Sequence, residues 1–455
     1  MNGTAKRLSI VLIVLIAVSA GSYLLLADRR PEIVPSVKDC SDCNVVVILI
    51  DTLRADHLPF YGYKLDTAPF LSELASKSAV FERAFSASSW TAPAVASMFT
   101  SMLPSDHGVI TGFMAIMSHR KAKANPSIKL NRIPAGEITL GEYMRAAGYQ
   151  TIGVADNLNI GDEMGFSRGF EQFTMYRYKG AETINRTVNE SLKKISAEKP
   201  YFLYLHYMDP HEPYHRRKPW YTECVEKTGK SGKEKTICAY DSEIRYLDQH
   251  IATLFEEHRW LENSIVIMLS DHGEEFWDHG KTGHGKTLYT EMVHVPLMLY
   301  HPKWPAKRIA QNVHIMDVLP TLAELHGHPI SPKWQGESLL PTLNGLSRHE
   351  VRPIVSERLR STNSRQNWWK RSVVLGDWHF IRTENPERII SNELFDLLND
   401  FRETFNKFTE ELARAEKLSE LLPTGSGMPE NASDSVEVET DQKLLDDLKT
   451  LGYLD

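Results

Sequence analysis

Two carboxylates and an imidazole stand where the chain leaves buried, extended segments: Asp51 directly after Val45 to Ile50, and Asp271-His272 just after Ile265 to Leu269. A mixed oxygen and nitrogen donor set of this kind suits Mg, Mn, Zn or Ca, and ligand type alone does not choose among them. A hydroxyl that could use such an ion lies in Ser88-Ser89-Trp90-Thr91-Ala92-Pro93, ahead of an alanine-rich helical run. Pro93 suits the first turn of a helix, where its missing N–H costs nothing, so Thr91 would sit beside free amide donors at the positive end of the helix dipole. A bound metal would lower the pKa of that hydroxyl and neutralise charge on a transferring group. Further imidazoles follow at His211, His279 and His284, with Lys286 close behind. The glycines of the loop from Asp278 to Lys286 would let side chains and backbone approach an anion closely.

Taken singly, each of these residues has a plainer reading. An Asp after a strand is a turn or a helix cap, and Ser89 or Thr91 is an N-cap. Their placement on the elements is what joins them. From Asn44 the chain alternates buried strands with amphipathic helical stretches such as Ala68 to Lys77, Thr139 to Ala147 and Thr183 to Glu198, the pattern of an α/β fold around a mostly parallel sheet. Val45 to Ile50 is an unbroken aliphatic run, as expected of a central strand buried on both faces. Tyr201 to His206 is a third strand and ends in Met208-Asp209-Pro210-His211. Ligands of open α/β sheets bind beyond the carboxyl ends of the strands, and all three polar clusters fall there.

Composition bounds the remaining possibilities. With 42% hydrophobic and 24% charged residues in 455, the chain can bury a sizeable core. Its formal net charge of -7 argues against a nucleic-acid partner, which needs massed cations to displace counterions. Leu8 to Leu26 is uncharged and mostly apolar, long enough to span a bilayer, with a signal segment cleaved near Val18-Ser19-Ala20 as the alternative. Four cysteines fall in two local pairs, Cys40 with Cys43 and Cys224 with Cys238, which reads as two disulfides. Oxidised pairs place everything after the span outside the cytoplasm, periplasmic or extracellular, either anchored by that single span or secreted after cleavage.

Asp51-Thr-Leu-Arg-Ala-Asp-His57 with Tyr61-Gly-Tyr63, the Thr91-Ala-Pro93 segment, Asp209-Pro-His211, Ser270-Asp-His-Gly-Glu-Glu275, and Lys286 with His294-Val-Pro296 together resemble a sulfatase-family catalytic domain of the alkaline phosphatase superfamily. The stretch from Gly376 to Arg382 followed by Glu393 to Asp400 is similar to the family's C-terminal subdomain, so the resemblance covers about Asn44 to Asp400 in the family's order. It implies an alkaline-phosphatase-like, mostly parallel sheet flanked by helices, with a small C-terminal α+β subdomain. The expected organisation is an anchor or signal segment over 1–30, a catalytic domain over 44–345, the subdomain over 346–400 and a helical, acidic tail over 401–455. Within that tail, Pro423 to Asp441 is rich in Ser, Gly, Pro and acidic residues and reads as a solvated linker before a short terminal helix.

The resemblance further implies a divalent metal held by Asp51, Asp271 and His272 with Thr91 as nucleophile and fourth ligand. His211 and Lys286 would contact the substrate anion or leaving group, with His211 as candidate general acid. Arg54 would support the metal-side carboxylates or the anion, and His284 would bind a second metal or act on the leaving group. Sulfatases carry Cys or Ser in a Cys-x-Pro-x-Arg pattern that is converted to formylglycine; here Thr91, Pro93 and Val95 occupy it, so no formylglycine is expected. Thr52 replaces the second member of the usual Asp-Asp pair. A direct threonine nucleophile resembles the phosphoethanolamine and glycerol-phosphate transferases of the superfamily. The expected substrate is an anionic ester, of a glycan or lipid headgroup, with phosphoryl chemistry ahead of sulfate-ester hydrolysis. A catalytically inactive binding protein on the same fold is the remaining alternative.

Overall fold

The computed structural model describes residues 43–113, 127–345, 351–359, 368–425 and 435–439. The central sheet is built from β1 (Asn44–Ile50), β2 (Ala79–Phe85), β4 (Gln150–Ala155), β5 (Gln172–Met175), β6 (Tyr201–Tyr207), β7 (Ser264–Leu269), β10 (His294–Tyr300) and β11 (Lys307–His314), in the order β11-β2-β10-β7-β1-β6-β4-β5. Only β10 runs against its neighbours in this sheet; the other pairings are parallel. Between β7 and β10 the chain forms a short antiparallel ribbon of β8 (Glu275–Phe276) and β9 (Thr282–Gly283). The side-chain alternation of β1 shows why an unbroken aliphatic run was needed at its centre. Val45, Val47 and Leu49 enter one core with helices α2 (Thr91–Thr100), α3 (Leu140–Ala146) and α7 (Val318–Leu325), whereas Val46, Ile48 and Ile50 enter another with α1 (Pro69–Ala75), α4 (Ala181–Leu192) and α6 (Gly232–His258). Thr139 opens α3 with a reciprocal capping box to Glu142.

A small C-terminal subdomain is present, all-β where an α+β unit was expected. Strands β12 (Ile354–Arg358), β13 (Trp369–Leu375), β14 (Trp378–Glu384) and β15 (Ile389–Asp396) form an antiparallel sheet, and Gly376 takes the left-handed conformation that the tight turn between β13 and β14 requires. One face of this sheet packs on α8 (Leu412–Ser419) through Val373, Phe380, Leu394, Ala415 and Leu418. The other face, with Val374, Ile381 and Phe395, packs on Phe85, Leu288, Met292 and Val293 of the larger unit. The two units therefore share a buried seam.

Some expectations need correction. Ser435–Glu439, inside the stretch read as a solvated linker, is a strand, β16, paired antiparallel with β3 (Ser127–Asn131). Its alternating Val436 and Val438 pack against the core that contains α2, which its acidic composition concealed. The terminal helix expected after it lies outside the described residues. The transmembrane expectation is also not sustained: among the described residues no helix is long and apolar enough to cross a membrane, and Leu8 to Leu26 lies outside them. Cys224, on α5 (Trp220–Thr228), is joined to Cys238 on α6 with a Cα separation of 5.5 Å. Cys43 is disulfide-bonded, and its expected partner Cys40 lies outside the described residues.

Candidate active site

The parallel register brings three strand ends to one place. Leu49 of β1 lies opposite His206 of β6 and Leu269 of β7, so Asp51 emerges beside β6 and just across from Ser270-Asp271-His272. Asp51, Asp271 and His272 are fully buried and offer ligand atoms that all lie within 4.8 Å of one another. His272 Nδ1 faces the Gly273 carbonyl at 2.8 Å, which leaves Nε2 turned to the carboxylates, 3.4 Å from Asp271 Oδ2 and 3.6 Å from Asp51 Oδ1. Asp51 Oδ1 and Asp271 Oδ2 are buried with no hydrogen-bond partner. Buried carboxylate oxygens left without donors are costly unless a cation compensates them, so this donor set fits a divalent metal.

The electrostatics point the same way. Burial, and then the charge of Asp51, push the Asp271 carboxyl well above the usual carboxylate range. Burial also acts to raise Asp51, but the His206 hydrogen bond and the charges of His211, His206 and His272 overcome it and hold that carboxyl low. Two close carboxylates of which only one ionises readily form a site short of positive charge.

Thr91 completes the group. It is the first residue of the ten-residue helix α2, whose start has no side-chain cap; Pro93 lacks an N–H and Ala94 N–H donates to the Trp90 carbonyl, so the Thr91 and Ala92 N–H groups are the ones that could meet an anion. Its Oγ1 lies 3.4 Å from Asp51 Oδ2 and 3.4 Å from His272 Nε2. The ring of His284 lies 4.7 Å from that of His272, and the ring of His211 lies 4.9 Å from that of His284, centroid to centroid. Burial opposes a charge on His284, yet the Glu274 carboxylate, 3.2 Å from its Nδ1, raises its pKa. His211 is lowered, by burial and then by the charge of His284, and its Nδ1 donates to the Glu212 carbonyl at 2.5 Å.

The other expected residues are placed differently. Arg54 gives all five of its N–H donors to Asp56, Asp278 and the Glu274 carbonyl, so it braces the loop that carries Glu274 instead of facing an anion. Lys286 is exposed and donates to the Thr282 carbonyl at 2.8 Å, on the loop that carries His284. His279 is drawn away from the site altogether: Nδ1 bonds Glu291 at 2.8 Å, Nε2 bonds the Glu403 carbonyl at 3.2 Å, and the ring stacks on Tyr289. Thr52 is buried next to Asp271, with its Oγ1 unpartnered and its N–H 3.3 Å from Asp271 Oδ1.

Sequence reading missed three supports. His206 Nε2 lies 3.0 Å from Asp51 Oδ2, Asn157 Nδ2 donates to the same oxygen at 2.7 Å, and Glu274 orients His284. A polar residue at the end of an apolar strand was the available signal for the first two, since His206 closes the expected third strand and Asn157 follows β4.

Comparison with known proteins fits this geometry. The family model described as Sulfatase matches residues 43–328. The choline-sulfatase of Rhizobium meliloti (strain 1021) is 25% identical over 403 residues, covering 69% of this chain and 73% of that protein. The Kdo(2)-lipid A phosphoethanolamine 7''-transferase of Salmonella typhimurium (strain LT2) is 23% identical over 264 residues, 56% of this chain and 43% of that one. Among solved structures, the phosphonate monoester hydrolase of Agrobacterium radiobacter superposes with a TM-score of 0.69 at 15% identity, covering 83% of this chain and 95% of that one, and so shares the fold. The chain belongs to the sulfatase family, as an enzyme that hydrolyses or transfers esters.

Proposed function

We propose that this enzyme transfers or hydrolyses phosphoesters through Thr91, beside a divalent metal that Asp51, Asp271 and His272 would hold. The observation that carries the reading is the position of Thr91 Oγ1, 3.4 Å from both Asp51 Oδ2 and His272 Nε2 at an uncapped helix start. A metal bound there supplies Lewis acidity, lowering the pKa of an adjacent hydroxyl and offsetting charge on non-bridging oxygens.

Thr91 Oγ1 attacks phosphorus in line with the leaving oxygen. An Oγ1–P bond forms as the bond from phosphorus to the leaving oxygen breaks, and the hydroxyl proton is lost to solvent, Asp51 Oδ2 orienting the hydroxyl at 3.4 Å. The first-turn amides of α2 hold the non-bridging oxygens. His284, whose pKa the Glu274 carboxylate raises, gives the leaving oxygen its proton. We assign the acid to His284 instead of His211, because a ring whose Nδ1 faces a carboxylate holds a second proton more readily than one whose Nδ1 faces a carbonyl. Water or an acceptor alcohol then enters from the leaving-group side, returns a proton to His284 and takes the phosphoryl group as the Oγ1–P bond breaks, and Thr91 Oγ1 regains a proton from solvent.

The substrate class is an anionic ester of a glycan or lipid headgroup. The Cys224–Cys238 disulfide supports an oxidising, extracytoplasmic location for the catalytic domain. Sulfate-ester hydrolysis is the second reading, favoured by the likeness to a choline-sulfatase and disfavoured by threonine at the nucleophile position.

Intact-mass measurement of the full chain after brief incubation with an aryl phosphodiester and Mn or Zn should show a phosphoryl-containing adduct on Thr91, absent in Thr91→Ala, which should also lose turnover. Turnover with unmodified Thr91 refutes the nucleophile, and turnover of aryl sulfate alone transfers the assignment to the second reading. His284→Gln should slow esters of poor leaving groups far more than a 4-nitrophenyl ester, which needs no proton. Equal slowing would remove His284 from the acid role.

A further inference from the structure

A cavity of about 200 Å3 opens beside Arg54, and none of Asp51, Thr91, His211, Asp271, His272 and His284 lines it. Its apolar walls are Trp277, in the turn between β8 and β9, and Phe401, in the segment after β15, which are 43% and 37% exposed. Both are fixed in place. Trp277 N–H donates to the Lys281 carbonyl at 2.7 Å and closes the turn. Thr290 Oγ1 donates to the Phe401 carbonyl at 2.7 Å, and the buried Glu403 carboxylate, two residues on, accepts from Thr290 N–H at 2.6 Å. Trp277 takes a φ of 59°, in the left-handed region where a bulky side chain is strained. An indole this exposed offsets little of that strain by packing on the core, so its orientation serves the cavity and not the fold.

The charges around the cavity cancel. Arg54, Lys233 and Arg402 supply three cations and Asp56, Asp278 and Glu291 three carboxylates, while burial lowers the pKa of His294 and leaves that ring uncharged at neutral pH. Such a balance favours neither an anion nor a cation. Arg54 spends its donors on Asp56, Asp278 and the Glu274 carbonyl, and Glu291 holds His279. Lys233, in the first turn of α6, and Arg402 are exposed, and the Asp56 side chain is half-exposed. The rim therefore presents donors from two cations and acceptors from a carboxylate whose oxygens keep lone pairs beyond the bonds from Arg54. An uncharged ring with an apolar face and several hydroxyls, each both donor and acceptor, meets these features together. The volume lies below the roughly 300–1,000 Å3 of pockets for drug-sized ligands and suits a single ring.

We propose that this cavity binds an uncharged pyranose ring, with Trp277 and Phe401 taking its C–H surface and Asp56, Lys233 and Arg402 bonding its hydroxyls. It is a glycan-binding site separate from the reacting centre, and it does not depend on Thr91 being the nucleophile.

The test uses glycosides that carry no ester. Isothermal titration of the metal-loaded full chain would compare the methyl pyranosides of glucose, galactose, mannose and N-acetylglucosamine with methyl glucuronoside, each with and without methylphosphonate to occupy the reacting centre. At least one uncharged pyranoside should bind saturably, and equally well when methylphosphonate is present. In Trp277→Gly that binding should weaken by about tenfold or more while thermal unfolding changes little, since glycine adopts the left-handed conformation without strain. Phe401→Ala should weaken it in the same direction. Binding of no uncharged pyranoside by the unmodified chain overturns the site, as does binding undiminished in either variant, binding displaced by methylphosphonate, or methyl glucuronoside binding more than about tenfold tighter than every uncharged ring. Glycoside binding by a chain that forms no Thr91 adduct keeps this site and removes the nucleophile, so the two failures are distinct.

Discussion

Asn157→Asp changes one atom group in the support of Asp51 and carries a worked energetic consequence. In the native chain Asn157 Nδ2 donates to Asp51 Oδ2 at 2.7 Å while its Oδ1 accepts from Asn159 N–H at 2.8 Å. An ionised carboxyl introduced at this position would set carboxylate against carboxylate at that separation, a repulsion of about 6 kcal/mol at an effective dielectric constant of about 20. Protonating the introduced group is the cheaper solution. With an ordinary pKa of about 3.9 this costs about 4 kcal/mol at about pH 7 and about 1.5 kcal/mol at about pH 5. The neutral acid can then donate to Asp51 as the amide did, and its other oxygen still accepts from Asn159. A carboxyl whose pKa is raised by folding contributes stability fully present below its unfolded value and lost as pH climbs toward the folded one. The variant, stripped of metal, should therefore fall short of the unmodified chain by about 4 kcal/mol at about pH 7 in urea unfolding, and recover most of that deficit by about pH 5. Asn157→Ala should instead cost about 1.5–3 kcal/mol, the usual range for a hydrogen bond to a charged group, with little pH dependence. A deficit for Asn157→Asp that is equal at both pH values would show that Asn157 does not face an ionised Asp51.

Three further outcomes follow from the same electrostatics. Asp271→Asn should weaken Mn or Zn binding by at least about a hundredfold by titration calorimetry; in the unmodified chain, chelation should expose a loss of stability with rising pH, because Asp271 is then held protonated by burial and by Asp51, and restored metal should abolish that slope. His279 is raised to about 9, with the Glu291 hydrogen bond and charge outweighing burial and Glu403 adding to them. Its raised pKa means that its contribution is complete below about pH 6.5 and lost as pH rises through about 9. Thermal unfolding should accordingly decline across that window in the unmodified chain and less steeply in His279→Gln; identical slopes would show that His279 does not staple the loop at Glu291 to the segment at Glu403.

The strand ends at Asp51 and Asp271-His272, and Thr91 at a helix start, were legible before any coordinates because each is a local event: a continuous aliphatic run that must be buried on both faces, followed by a polar residue that cannot be. The α/β class, the subdomain hairpin around Gly376-Asp377 and the disulfide between Cys224 and Cys238 follow from comparably local signals. What belongs to whom at the site is set by register. His206 and Asn157 become partners of Asp51 only because β6 lies beside β1 and β4 beside β6, an ordering that no periodicity in the chain encodes. Arg54 and His279 carry the residue types expected at an anion or metal site, yet folding sets carboxylates against both, and a cation already enclosed by carboxylates has no donors left for a substrate. Val436 and Val438 read as part of a solvated tail because their neighbours are acidic, and they become a strand because β3 offers an open edge above an apolar core. Sequence by itself determined which groups could do chemistry; the lateral order of the strands decided which of them touch, since hydrogen bonds and charge pairs act across distances that only packing creates.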